Sequence, residues 1–135
     1  MTTDPQILLP PGWPRPKGYA NGVAASGRVV AIAGMIGWLP DGSFPSSNIV
    51  DQTRLALENI VAVLREAGGK PEHIVRITWY VVDKREYLAA GREIGKVFRE
   101  VIGSYNAAMS AVQVVALMED EARVEIEATA VIPQA

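Results

Sequence analysis

The sequence has no cysteine, which excludes disulfide bonds and thiolate chemistry. It has one histidine, His73, so a zinc site built from histidine and cysteine ligands is excluded too. Basic residues are not in excess: 13 basic against 15 acidic residues give a net charge of −2, unlike the basic surface of a nucleic-acid-binding protein. No glycine-rich phosphate loop is present, because no helix pattern follows Gly22 to Gly27. We therefore expect no metal, no cofactor and no nucleic-acid partner.

Long hydrophobic runs are also missing. None reaches the roughly 18 residues that a membrane-spanning helix requires. Residues 1–16 lack the charged start and apolar core of a signal peptide. These features predict a cytoplasmic protein with no membrane partner. A chain of 135 residues is long enough to bury one core, so we expect a single domain over 1–135.

Proline is concentrated at the N-terminus, where five of the nine prolines lie within residues 1–17. Proline cannot donate a backbone hydrogen bond and disfavours helix in the residue before it. This segment is therefore predicted to be an extended arm on the surface.

After the arm, hydrophobic periodicity predicts elements in the order ββαβαββ. Asn48 or Asp51 can cap the first helix, Asp83 can cap the second, and Ser26-Gly27 is a plausible hairpin turn. The predicted elements are strands over 18–25 and 28–35, a helix ending near residue 67, a strand over 74–82, a helix over 84–102, and strands over 108–116 and 123–132.

Several predicted strands are apolar on both faces, including residues 29–33 and 74–82. Strands of this kind are normally buried on both faces of a sheet. The apolar fraction of 49% is also high for such a short chain. We therefore expect an α+β domain in which two helices cover one face of a mixed sheet and another subunit covers the other face.

The C-terminal motifs carry a family resemblance. The stretches 108–114 (AMSAVQV) and 124–130 (VEIEATA) resemble the signature of the YjgF/RidA family, the imine and enamine deaminases. Residues 18–23 resemble that family's tyrosine motif, residues 32–36 its strand ending in glycine, and residues 52–60 its first helix. The motifs follow the family's order and spacing along nearly the whole chain. The resemblance implies a chorismate-mutase-like fold, assembled as a homotrimer with a small-molecule ligand in a cleft between subunits.

Three residues match the family's cleft positions one by one. Tyr19 matches its tyrosine, Gly34 its strand-end glycine and Glu125 its glutamate. The resemblance implies that Tyr19 and Gly34 line the substrate site and that Glu125 is catalytic. A glutamate there can position the attacking water or carry a proton to the departing nitrogen.

Four other cleft positions have lost a polar or charged side chain. The family's serine is Ala33 here, its asparagine is Gly91, its arginine is Met109 and its cysteine is Ala111. All four remain candidate substrate-binding positions. In the family the arginine holds the substrate carboxylate, whereas a thioether has neither a charge nor a hydrogen to donate.

The missing arginine leaves several functions open. The first is a diverged deaminase acting on an imine or enamine that lacks the usual carboxylate or is held elsewhere. The second is a trimer that binds a small, fairly apolar molecule without converting it, and the third is a structural trimer with a vestigial cleft. Arg15, Lys17 and Arg28 lie near the tyrosine motif and are either substitute charges or surface residues. An endoribonuclease function fits less well, because RNA cleavage needs an acid, a base and phosphate-binding cations.

Overall fold

The fold was analysed in a computed structural model that describes residues 5–104 and 106–134. Within these residues six strands and three α-helices follow one another, with a short 3-10 helix at Pro71–His73. They are β1 (Gln6–Leu8), β2 (Gly22–Ala24), β3 (Arg28–Met35), α1 (Ile49–Glu66), β4 (Ile74–Val81), α2 (Lys84–Ala89), α3 (Gly91–Val101), β5 (Ala108–Gln113) and β6 (Val124–Ile132).

The main sheet has four strands in the order β3-β6-β4-β5. Strands β4 and β5 run parallel, whereas β6 is antiparallel to both β3 and β4. The α+β class and the mixed sheet are therefore confirmed. Strands β1 and β2 form a separate two-stranded antiparallel sheet.

The core lies between the main sheet and the helices. Helix α1 begins after Asn48, whose side-chain oxygen accepts hydrogen bonds from the backbone N–H groups of Val50 and Asp51. Its inward stripe includes Leu57, Ile60 and Leu64, none of which retains any exposed surface. Alternate residues of the two central strands complete this layer: Ile77, Trp79 and Val81 on β4, and Val124, Ile126, Ala128 and Ala130 on β6.

The predicted first hairpin is wrong. Only Gly22–Ala24 forms a strand in the predicted segment 18–25, and it pairs with Gln6–Leu8 of the N-terminal arm. The other hairpin strand, β3, pairs with β6. The physical reason is that β6 has nine residues and supplies a longer apolar partner for β3 than the short segment around Gly22.

The predicted second helix is divided into α2 and α3. Ala90 leaves the helical conformation, with ψ of 8°, and Gly91 starts the next helix. Glycine weakens a helix interior because ordering its backbone costs more entropy than for any other residue. Among the described residues, three helices rather than two therefore cover one face of the sheet. None of these three helices is long and apolar enough to span a membrane.

The opposite face of the sheet carries no helix in the described chain. Val29 on the edge strand β3 is 66% exposed there, so strands 29–33 and 74–82 are not buried on both faces within one chain. This open face is also more polar than the sequence pattern suggested. It carries Thr78 and Tyr80 of β4, and Glu125 and Glu127 of β6, all half-buried.

Candidate functional site

A cavity of about 750 Å³ lies between strand β5 and helices α2 and α3. Its size is that of an ordinary small-molecule site. In the parallel register of β4 and β5, Met109 lies beside Ile77 and Ala111 lies beside Trp79. Met109 and Ala111 therefore point to the side of the sheet that the helices cover, and they line the cavity there. We call this space the Met109 cavity.

Tyr19 lies at the Met109 cavity because the backbone next to it is hydrogen-bonded to the start of β5. The N–H of Ala20 donates to the carbonyl oxygen of Ala107 at 2.9 Å, and Ala20 forms an isolated parallel bridge with Ala108. Gly18, at φ +84°, turns the chain just before this attachment in a conformation that favours glycine. The Tyr19 side chain remains 41% exposed at the cavity.

The cavity walls are aromatic and aliphatic. The ring of Trp79 lies 6.2 Å from that of Tyr87 and 6.1 Å from that of Phe98, centroid to centroid. Burial raises the pKa of the Tyr87 hydroxyl above its usual value. Helices α2 and α3 add Leu88 and Ile94 to the same surface. A ligand in this space would meet mainly carbon atoms.

Gly91 lies where α2 and α3 meet and lines the Met109 cavity. A β-carbon built at this position would have no heavy atom within 4 Å. The absence of a side chain at position 91 is therefore not imposed by a neighbouring atom at the position of the β-carbon.

Glu125 lies on the other side of the sheet. Its partner on β4 is Tyr80, whereas the next residue, Ile126, pairs with Trp79 and faces the helices. The Glu125 carboxylate packs against Gly34, where a β-carbon on the glycine would come within 2.7 Å of the Glu125 Cδ. Ala33 and Gly34 are exposed at the end of β3, where the pairing register with β6 shifts.

The predicted site residues thus form two groups within one chain. Four of them line the Met109 cavity: Tyr19, Gly91, Met109 and Ala111. The other three lie at the open face: Ala33, Gly34 and Glu125. One chain by itself does not bring Glu125 to Met109.

The three candidate substitute charges have different surroundings. Lys17 lines the Met109 cavity next to Tyr19, and Arg15 does not. The guanidinium of Arg28 donates a hydrogen bond to the carbonyl oxygen of Ala67, at the C-terminal end of α1. Its positive charge therefore interacts favourably with the negative end of the helix dipole.

Sequence reasoning missed several functional candidates. Leu88 and Arg99 line the cavity, and Trp79 forms part of its wall. The signal was present: Tyr87, Gly91, Ile94 and Phe98 recur at helical spacing and define one face.

A hydrogen-bonded pair on the open face was also missed. The Tyr80 hydroxyl donates to a Glu127 carboxylate oxygen at 2.5 Å. This hydrogen bond holds the pKa of Tyr80 above its usual value of 10.0, because only the protonated phenol can donate it. The pair lies two residues along β6 from Glu125 and on the same face.

The residues 5–104 and 106–134 contain no cluster of three histidine, cysteine or carboxylate side chains suited to a metal ion. His73 belongs to a turn, since its Nδ1 accepts a hydrogen bond from the backbone N–H of Lys70 at 3.0 Å. It does not line the Met109 cavity.

Comparison with known proteins gives a consistent result. The profile of the family described as Endoribonuclease L-PSP matches residues 14–132. A RutC family protein of Pyrococcus horikoshii is 32% identical over 126 residues, which cover 93% of this chain and 96% of the relative. The putative reactive intermediate deaminase TdcF of Escherichia coli is 32% identical over 113 residues, covering 84% and 85%.

Solved structures resemble the whole fold. The crystal structure of the Rid family protein YyfB from Yersinia pestis has a TM-score of 0.84 and 32% identity, covering 96% of this chain and 99% of that one. The structure of Escherichia coli TdcF with bound serine has a TM-score of 0.68 and 31% identity, covering 94% and 98%.

Proposed function

This chain belongs to the Endoribonuclease L-PSP family, also known as the YjgF/RidA family, and we propose that it is a deaminase of small imines or enamines whose active site is completed between the subunits of a homotrimer. In this proposal one subunit contributes the Met109 cavity. Its neighbour contributes the open face that carries Glu125 and Gly34.

The observation that carries the proposal is the position of the Glu125 carboxylate. Glu125 belongs to β6, and its carboxylate packs against Gly34 at the exposed end of β3, on the face of the sheet that carries no helix. Glu125 and Val29 lie on that face, and a partner subunit would remove both from water. A carboxylate enclosed in this way can direct a water molecule at the C=N carbon and return its proton to the nitrogen.

Met109 restricts the substrate. It presents a thioether at the cavity floor, where no charge would hold a carboxylate. TdcF of Escherichia coli holds serine in its crystal structure, so a protein of this fold accommodates a ligand of amino-acid size. For this chain we propose an imine whose buried end is apolar, held by Met109, Ala111 and Tyr19.

The alternative is a trimer that binds a small molecule and does not convert it. It is favoured by the separation of Glu125 from the Met109 cavity within one chain. The two functions share the cavity and differ only in whether a neighbouring carboxylate reaches the ligand.

Ammonia release separates these functions. The wild-type protein should release ammonia from freshly generated imines with a large apolar end faster than from 2-aminoacrylate. Glu125→Gln should reduce the rate about 100-fold or more, the usual effect of losing a general acid or base. Glu127→Gln, two residues away on the same face, is the matched control and should keep the rate. No release from any of these compounds would exclude the deaminase and leave the binding function.

The family's descriptive name also suggests a second candidate function, the cleavage of RNA. The side chain of His73 is held in a turn, and the net charge of −2 gives the protein no excess of positive charge for binding a phosphate backbone. Highly purified protein should therefore leave single-stranded RNA intact, as judged on a denaturing gel.

A further inference from the structure

The Met109 cavity has a specific distribution of charge. Of the described residues that line it, only Lys17 and Arg99 carry a charge, both are cations, and both are exposed. The interior surface is apolar and comes from Trp79, Ile94, Phe98 and Met109, whereas Leu88, which is 64% exposed, lies towards solvent. The polarity therefore runs from an apolar floor to a positive mouth.

Lys17 is held at this mouth by the backbone. Three residues later the N–H of Ala20 donates to the carbonyl oxygen of Ala107, and Gly18 makes the turn between them. The start of the lysine side chain is therefore fixed relative to β5, although its ammonium group stays in solvent.

We propose that Lys17 binds the anionic group of a ligand whose apolar body fills the Met109 cavity. The ligand class is an aromatic or large aliphatic carboxylate, its imine, or the corresponding 2-oxo acid. Such a ligand enters with its hydrocarbon end towards Met109 and keeps its carboxylate at the mouth. This inference rests on the proposed function in one respect, namely that the cavity is the ligand site.

The physical reason is the different cost of burial for the two ends of such a ligand. A carboxylate on the floor would lose its hydration with no cation to replace it, whereas a phenyl ring there replaces contacts with water by contacts with Trp79 and Phe98. At the mouth the carboxylate keeps its hydration and gains an ion pair with Lys17. An ion pair in solvent is weak, so it orients the ligand more than it tightens binding.

Binding without turnover tests this directly. The probes are phenylpyruvate, pyruvate and the neutral ketone 1-phenylpropan-2-one, measured by isothermal titration calorimetry on the full-length protein. We expect phenylpyruvate to bind about tenfold more tightly than pyruvate, because only the former fills the apolar floor. Lys17→Gln should weaken phenylpyruvate about threefold to fivefold and leave the neutral ketone unchanged.

Two further variants control for non-specific effects. Lys17→Arg keeps the charge and should bind like the wild type. Lys96→Gln removes an exposed lysine of α3 that does not line the cavity and should also bind like the wild type. Equal affinity for phenylpyruvate in the wild type and Lys17→Gln, or tighter binding of pyruvate than of phenylpyruvate, would overturn the inference.

The outcomes separate this inference from the deaminase proposal. Charge-dependent binding of phenylpyruvate without ammonia release from any imine would support the role of Lys17 and remove the deaminase. Ammonia release with no dependence on Lys17, in rate or in affinity, would keep the deaminase and remove the role of Lys17.

Discussion

The carboxylate of Glu125 occupies the space in which a β-carbon of residue 34 would lie. A β-carbon on Gly34 would come within 2.7 Å of the Glu125 Cδ and 2.9 Å of its Cγ. Any side chain at position 34 would therefore collide with the Glu125 carboxylate in its present orientation. That orientation depends on glycine at position 34.

Gly34→Ala should move the Glu125 carboxylate without unfolding the protein. Glutamate is flexible and residue 34 is exposed, so the free energy of unfolding should fall by about 1 kcal/mol or less. Imine hydrolysis should fall about as far as in Glu125→Ala. Urea denaturation and ammonia release measure the two effects.

A double-mutant cycle checks that the two residues act through this contact. The variant Gly34→Ala/Glu125→Ala should be no less active than Glu125→Ala alone, because the clash is gone. Additive losses of activity would show that Gly34 acts independently of Glu125.

Restoring the arginine at position 109 should change the substrate preference. Met109→Arg places a guanidinium at the cavity floor, where it can pair with a carboxylate for about 1.5–3 kcal/mol. Hydrolysis of 2-aminoacrylate should rise tenfold or more in kcat/KM, while uncharged imines lose activity. If 2-aminoacrylate shows no gain, the polar side chains missing at positions 33, 91 and 111 are also required.

The open face of the sheet should be the subunit interface. Val29 is 66% exposed on that face, and Val29→Glu would place a charge against the neighbouring subunit. Sedimentation velocity should show a trimer for the wild type and mainly monomer for this variant. Val63→Glu, on the outer surface of α1, is the control and should remain trimeric. A trimeric Val29→Glu protein would place the interface elsewhere.

The phenol of Tyr80 should lose its proton at a higher pH than an ordinary tyrosine, and Glu127 should be the cause. The hydrogen bond between them raises the pKa of Tyr80 above 10.0, so the native state binds the phenolic proton more tightly than the unfolded state. The stability from this pair is present below pH 10 and is lost as pH rises past the raised pKa.

The ionisation of Tyr80 can be followed at 295 nm by comparing each protein with its Tyr80→Phe counterpart. Glu127→Ala should lower the midpoint towards the ordinary value, because the carboxylate that accepts the hydrogen bond is gone. Identical midpoints with and without Glu127 would contradict the assigned cause.

Local signals in the sequence predicted the elements that depend on local chemistry. Asn48 capped α1 as expected, because its side chain and the N–H groups that it caps lie within three residues. The same reasoning failed at Ala90, where the apolar stripe from Tyr87 to Phe98 continues although the helix is interrupted. Side-chain periodicity reports which face is buried and is insensitive to one residue outside the helical conformation.

Pairing between distant strands was not predictable in the same way. Strand β3 has its partner in β6, about a hundred residues later, and the sequence pattern around Gly27 suggested a nearer one. Hydrophobic alternation indicates which face of a strand is buried, but it does not identify the neighbouring strand, because several strands with a matching apolar face could pair with it.

The chemistry of the individual positions was set by the amino acids alone: a thioether at 109, a carboxylate at 125 and no side chain at 34. Their arrangement in space came from the folded sheet. Register places Met109 with Trp79 on the helix side and Glu125 with Tyr80 on the open side. Two side chains on opposite faces of one sheet cannot meet within that chain, so the relation of Met109 to Glu125 is decided by tertiary structure.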